Sequence, residues 1–213
     1  MSAGRCQSVR HFFKTLPMPA WVRFFAFCWV FVPGWLYGQN LDIRWLDRIN
    51  SPVNPRLDKP WQWVSNSMAP VSIATPLALF TAGKLRKGPD LLSRSYEAGA
   101  SFLLSSSLTM ALKVSIRRPR PFVTYPDRIT RKGHGGSFSF PSGHTAAAFS
   151  TATSLSLAFP KWYVIAPSYL YAGAVAWSRM YLGVHYPSDL LGGILIGVGS
   201  SLLAFQVGKW IRR

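Results

Sequence analysis

Six stretches of this chain are apolar almost throughout, and its charges collect between them rather than along them. They run near residues 20–37, 61–82, 96–116, 143–159, 162–179 and 187–210. Each approaches the roughly 20 mostly apolar residues that a helix needs to cross a bilayer. The pattern predicts an all-α integral membrane protein, a six-transmembrane-helix bundle forming one domain over 1–213. Pro70 and Pro76 fall inside the second stretch and predict a kink, which membrane helices tolerate when neighbours satisfy the freed carbonyls.

Residues 39–60 read differently. Asp42, Arg44, Asp47, Arg48 and Asn50 interleave with Leu41, Ile43, Trp45, Leu46 and Ile49, so this outer segment is either an interfacial helix along the membrane surface or a surface loop with a helical turn. Residues 1–38 are a basic arm followed by the first apolar run. They act as an anchor or as a secretory signal cleaved before Gln39. Leu36 at the minus-three position matches the small-residue rule poorly, which favours retention. Cleavage would leave five spans. Cys6 and Cys28 lie in the arm and in the apolar run, positions unsuited to pairing with each other.

Composition agrees with a membrane reading: 49% hydrophobic residues, 15% charged, nine Trp and fourteen Phe in 213 residues. The net charge of +17 raises nucleic acid as a partner, but its distribution argues against one. Arg5, Arg10, Lys14 and Arg23 flank the first span, Lys84, Arg86, Lys87 and Arg94 fill one short loop, and Lys209, Arg212 and Arg213 close the chain. On the positive-inside rule these groups share the cytoplasmic face, which an even number of spans satisfies. Seven Lys or Arg residues between Lys113 and Lys132 then fall on the outer face and offend the rule. Anion binding is a reason to keep them there. Among them Arg117, Arg118, Arg128, Arg131 and Lys132 are read as a surface facing the lipid leaflet, with a headgroup grip as the second option.

Three polar clusters interrupt the apolar pattern, and the topology brings all of them to the outer face: Lys113 with Arg120-Pro121, then Pro141-Ser142-Gly143-His144, then Ser178-Arg179 with His185 and Asp189. Pro141 breaks the helix, Ser142 is a preferred N-cap, and Gly143-His144 opens a helix whose free amides and dipole favour an anion. By itself that tetrapeptide is equally an ordinary capped helix. Pro187 suits a first helical position, which places Asp189 in the first turn and His185 just ahead of it. The carboxylate can then fix the tautomer of the imidazole and leave its other nitrogen as a nucleophile. Taken alone, the pair is more simply a tie between two helices.

Together the clusters predict a division of labour. His185 attacks phosphorus, while His144 protonates the departing oxygen and then activates water. Asp189 orients His185. Lys113, Arg120, Arg179, Ser142 and the Gly143 amide hold the equatorial oxygens, where charge must be stabilised in phosphoryl transfer. Only seven Asp or Glu residues exist and Asp189 is the one within the clusters, so a carboxylate cage for two divalent ions cannot be assembled and no metal or cofactor is expected. His11 and His134 are read as solvated surface residues.

These three clusters resemble the signature of the type-2 phosphatidic acid phosphatase superfamily, which also includes vanadium haloperoxidases and some soluble acid phosphatases. Lys113, Arg120 and Pro121 match its first motif, Pro141 to His144 its second, and Ser178, Arg179, His185 and Asp189 its third. The motif set covers 113–189. The resemblance implies a helical membrane bundle with its active site at the extracytoplasmic ends of helices 3 to 6, working through a metal-independent phosphohistidine. It implies a multi-pass protein of the bacterial cytoplasmic membrane, with lipid phosphate and membrane lipids as its partners and no obligate protein partner. Undecaprenyl pyrophosphate, phosphatidylglycerophosphate and phosphatidic acid are the expected substrates, and a lipid A phosphatase or lipid phosphotransferase is the alternative. A vanadate-dependent haloperoxidase or a non-catalytic membrane protein ranks lower.

Overall fold

The computed structural model describes residues 41–50 and 54–212. All of them but Leu41 belong to one compact unit, Asp42–Arg213. The first predicted span, the signal alternative, His11 and both cysteines lie outside the described residues. Among the described residues there is no strand. The helices are α1 (41–50), α2 (Pro55–Leu85), α3 (Pro89–Ile116), the single turn α4 (Pro121–Thr124), α5 (Gly143–Ala158), α6 (Trp162–Tyr181) and α7 (Pro187–Ile211).

Local signals set the boundaries. Pro55, Pro89 and Pro187 occupy the first turns of α2, α3 and α7, where a missing N–H costs nothing. Asn54 caps α2 by accepting from the Arg56 amide at 3.2 Å. Arg117 ends α3 in the left-handed conformation at φ 51°. The third helix starts at Pro89, earlier than the expected 96, because Gly88-Pro89 supplies a start signal that hydropathy alone overlooks. α2 continues through Pro60, Pro70 and Pro76 as one helix.

By length and composition α2, the stretch Pro89–Thr124 and α7 suffice to cross a membrane. α5, at 16 residues, is short of the roughly 20 required, and α6 has its apolar content diluted by Tyr, Trp, Ser and Arg179. Packing shows why α5 carries such a sequence. It lies at the centre, touching α2, α3, α6 and α7, and the run from Thr145 to Ser154 is buried except for Phe149. Small side chains let four helices approach one backbone, which is how membrane helices gain contact when lipid is as apolar as the interior.

The bundle is therefore small and polar inside and apolar outside. Ser101 Oγ lies 2.7 Å from Ser150 Oγ and 2.6 Å from Ser201 Oγ, and Thr151 donates to Ser72 at 3.0 Å. These bonds satisfy buried hydroxyls across helices. Leu103, Met110, Leu170, Leu191, Leu195 and Leu203 face outward, the arrangement expected where the surroundings are hydrocarbon.

Within the 39–60 segment residues 41–50 form α1, whose inner face packs on protein, and residues 55–60 belong to α2. Ile43 and Leu46 join Ile129 and Tyr186 in a core cluster. Asn50 ties down two loops, donating to Thr130 O at 3.0 Å and Tyr181 O at 2.9 Å and accepting from the Thr130 amide at 2.7 Å.

At the α5–α7 contact, a Cβ added to Gly197 would sit 2.3 Å from the Ala146 carbonyl oxygen and 2.8 Å from the Ser150 amide. Both are helix backbone and cannot swing away. Gly197→Ala is expected to lower the detergent Tm, with a loss of about 1–3 kcal/mol, while Gly199→Ala, where nothing approaches, leaves Tm unchanged; a thermal melt of the two variants checks this.

Candidate active site

The site is built where α3 and α6 end and α5 and α7 begin. Ser142 caps α5, accepting from the Thr145 amide at 3.4 Å and the Thr145 hydroxyl at 2.9 Å. This cap opens the helix at Gly143-His144. A reverse turn follows α6, in which Gly183 takes φ 70° and a Cβ would lie 2.4 Å from the Thr130 carbonyl. Only glycine meets both demands. The turn delivers His185 directly ahead of α7.

Lys113, Arg120, Gly143, His144, Arg179 and His185 line one cavity of about 630 Å³. Six of the eight residues singled out from sequence thus meet, from four separate segments. Ser142 and Asp189 are fully buried and stand behind the cavity wall, so the structure places the Ser142 hydroxyl at the helix cap rather than among the cavity-lining groups.

His185 is 2% exposed. Its Nδ1 lies 3.3 Å from Asp189 Oδ2, and its Nε2 lies 3.3 Å from an Arg120 guanidinium nitrogen. Arginine donates only, so Nε2 must accept; Nδ1 carries the proton and donates a hydrogen bond to Asp189. The lone pair is on the cavity-side nitrogen, as a nucleophile requires. Burial pushes the imidazole down from 6.5 to about 3, against the upward pull of the Asp189 hydrogen bond and charge and with the help of Arg120 and Arg179. The ring is neutral at physiological pH.

Asp189, 0% exposed, has both oxygens engaged. It accepts from Arg118 at 2.7 Å, from the Tyr186 amide at 2.9 Å, and from the Ser139 hydroxyl through a short bond. Arg118 also bonds Ser188 at 2.6 Å and Asp42 at 2.9 Å, and stacks on the Tyr186 ring at 4.0 Å. Asp42 in turn accepts from the Ser188 amide at 3.0 Å and from its hydroxyl. The leaflet-facing reading of Arg118 is therefore corrected: a buried carboxylate attracts it inward. Arg128 pairs with Asp47 at 2.7 Å, and the Lys132 ammonium donates to Asn50 O at 2.8 Å.

The three cavity cations are fastened to one loop. Lys113 donates to the carbonyls of Phe138 and Ser139 at 2.9 and 3.2 Å, Arg120 to that of Gly136 at 2.6 Å, and Arg179 to that of His134 at 2.8 Å. A Cβ on Gly135 would lie 2.9 Å from the Arg120 guanidinium, so the loop owes its closeness to that glycine. Arg179 also donates to Ser65 through a short bond, yet its Nε is buried without a partner. Three cations bordering one cavity suit an anion. His144 lies within electrostatic reach of Arg179, His185, Arg120 and Lys113. His134 is exposed as expected, but it borders the cavity.

Sequence reasoning missed Ser139, Arg118, Asp42 and Ser65. Ser139 stands just ahead of the second cluster, and Arg118 just ahead of Arg120, so proximity was a usable signal for these two. Asp42 and Ser65 carry no local signal.

A profile of the PAP2 superfamily matches residues 96–213, just over half of the chain, and the chain belongs to that superfamily. It is 33% identical over 107 residues to the undecaprenyl-diphosphatase of Sulfolobus acidocaldarius, covering 50% of this chain and 52% of the relative. The chain spans about half the length of that relative. Among solved structures, that of Aquifex aeolicus LpxE superposes with a TM-score of 0.68 at 28% identity over 78% of this chain and 95% of the other. The first transmembrane PAP2 type phosphatidylglycerolphosphate phosphatase from Bacillus subtilis superposes with a TM-score of 0.66 at 27% identity, covering 83% and 89%.

Two outcomes follow from this geometry. Because the folded imidazole of His185 titrates at about 3 and the free one at 6.5, the unfolded chain binds the extra proton first. His185 therefore removes stability as pH falls through that window, and His185→Gln should flatten the decline of Tm with acid; a steeper decline in the variant would contradict the assignment. Arg118→Met strips a buried carboxylate of its main cationic partner, and is expected to lower Tm by several degrees and kcat by about tenfold or more with little change in KM, as steady-state kinetics on the variant would show.

Proposed function

We propose that this protein is an integral membrane phosphatase that hydrolyses lipid phosphomonoesters or lipid pyrophosphates through a phosphohistidine. The observation that carries the reading is one cavity holding two histidines and three cations, one of them with a buried donor lacking a partner. A structural role for the His185–Asp189 pair would need neither the second histidine nor the cations.

In the first step His185 Nε2 attacks phosphorus in line, the bond from phosphorus to the lipid oxygen breaks, and protonated His144 gives its proton to that oxygen. Asp189 steadies the ring as it gains positive charge. Lys113 keeps one N–H beyond its two loop carbonyls, and Arg120 and Arg179 keep N–H groups of their own; with the Gly143 amide these would hold the three equatorial oxygens. Water then attacks phosphorus as His144 takes up a proton, the phosphorus–nitrogen bond breaks, and His185 returns to its neutral form with release of inorganic phosphate. Among the described residues no group of three or more His, Cys, Asp or Glu side chains is placed to hold a metal ion, and the route proposed is metal-independent.

The favoured substrates are undecaprenyl pyrophosphate and glycerophospholipid phosphates such as phosphatidylglycerophosphate or phosphatidic acid. The apolar exterior and the cavity edge at Met110 and Val114 support a substrate whose tail stays among lipids. The proposed layout is six crossings, with the site at the outer face of the bacterial cytoplasmic membrane.

Purified protein in detergent is expected to release phosphate from such lipids in the presence of chelator, and vanadate should inhibit it. His185→Ala should cost about 10⁴-fold or more in kcat and His144→Ala about 10²–10⁴-fold. Full activity in either variant would remove the assigned roles.

A further inference from the structure

Arg179 and His134 border two cavities. The first is the catalytic one, whose α3 side is apolar: Met110 is 65% exposed and Val114 48%. The second, about 400 Å³, is bounded by Gln62 and Asn66 of α2 and by Arg131, Lys132 and Gly133 of the loop between α4 and α5. Apart from Leu182, its named lining is polar, cationic or glycine.

The chemistry says what each can serve. In a phosphomonoester and in a pyrophosphate lipid alike, the group transferred is the terminal phosphoryl, whose only further substituents are oxygens. Every carbon lies on the leaving-group side. No part of the lipid therefore requires the polar cavity. After hydrolysis the product is a hydrated anion with more than one negative charge on average near neutrality. Its route past Met110 and Val114 toward the apolar exterior would strip water without replacing its hydrogen bonds. Gln62 already donates to the Lys132 carbonyl at 2.7 Å, and beside that tie, past Asn66 and Arg131, the anion exchanges water for a donor and a cation.

We propose that the polar cavity is a separate door and transient binding site for inorganic phosphate, so that anion and water pass between α2 and the 131–134 loop while lipid enters and leaves along α3. The door rests on the phosphatase reading for its purpose, but it can be tested without it. Arg179, common to both cavities and only 2% exposed, is the point at which the ion passes from one to the other. Asn66 and Arg131 lie outside the catalytic machinery, and both are exposed, so substituting them spares the core.

Vanadate, a phosphate mimic, measures the route directly. The time course of radiolabelled vanadate binding to detergent-solubilised protein is followed for wild type, Asn66→Trp, Arg131→Glu and Val114→Trp, alongside the KM for a lipid phosphate. Asn66→Trp is expected to slow vanadate association by about tenfold with lipid KM within about twofold of wild type. Arg131→Glu should slow it in a salt-dependent way. Val114→Trp should raise lipid KM and leave vanadate association unchanged. Unchanged association in both Asn66→Trp and Arg131→Glu, or slowing by Val114→Trp alone, would overturn the door. Vanadate binding that follows the expected pattern in a protein hydrolysing no lipid phosphate would overturn the phosphatase reading and leave the door standing.

Discussion

Three positive charges from separate places in the chain are held around one small space, and the rest of the site is arranged to make that bearable. Like charges at such range repel strongly in a medium of low polarity. Here Lys113, Arg120 and Arg179 are each neutralised in part by carbonyl oxygens of the 134–139 loop, so the loop acts as a collar of negative dipole ends. The collar is incomplete, since the Nε of Arg179 is left without a partner. A tetrahedral oxyanion among the three cations would offset the repulsion that the collar leaves.

A second balance runs behind the cavity. Among the described residues Asp189 is the carboxylate bonded to His185, and it must remain charged and correctly turned to hold that ring. Arg118, Ser139 and the Tyr186 amide use up its oxygens, leaving the carboxylate little freedom to rotate. Positive charge lines the cavity and negative charge supports the imidazole, with His185 between them.

The apolar runs made α2, α3, α5, α6 and α7 legible in the sequence, while the turn α4 and the early starts of α2 at Pro55 and α3 at Pro89 were not. Convergence of Lys113, Arg120, Gly143, His144, Arg179 and His185 was legible too, since topology alone assigned their segments to one end of the bundle. Other features were not. Ser142 reads as an N-cap and does cap α5, but that this role keeps its hydroxyl out of the cavity lining is seen only once the Thr145 amide and hydroxyl engage the same oxygen. The inward turn of Arg118 depends on Asp42, far away in sequence, and a basic residue next to a span reads as a surface charge until that partner is seen. The central position of α5 was hidden by its length, because a helix surrounded by protein on every side needs small side chains rather than a long apolar face.

The link through Arg118 to Asp42 also bears on what counts as the smallest working unit. All three motifs fit within 113–189 and the superfamily match begins at 96, yet Asp42, Asn50 and Ser65, which anchor Arg118, the turn before His185 and Arg179, all precede both. A fragment trimmed to the recognisable signature would keep every motif residue and lose the struts that aim them. Natural variation in this upstream stretch would therefore shift the geometry of the cavity while leaving the diagnostic residues untouched.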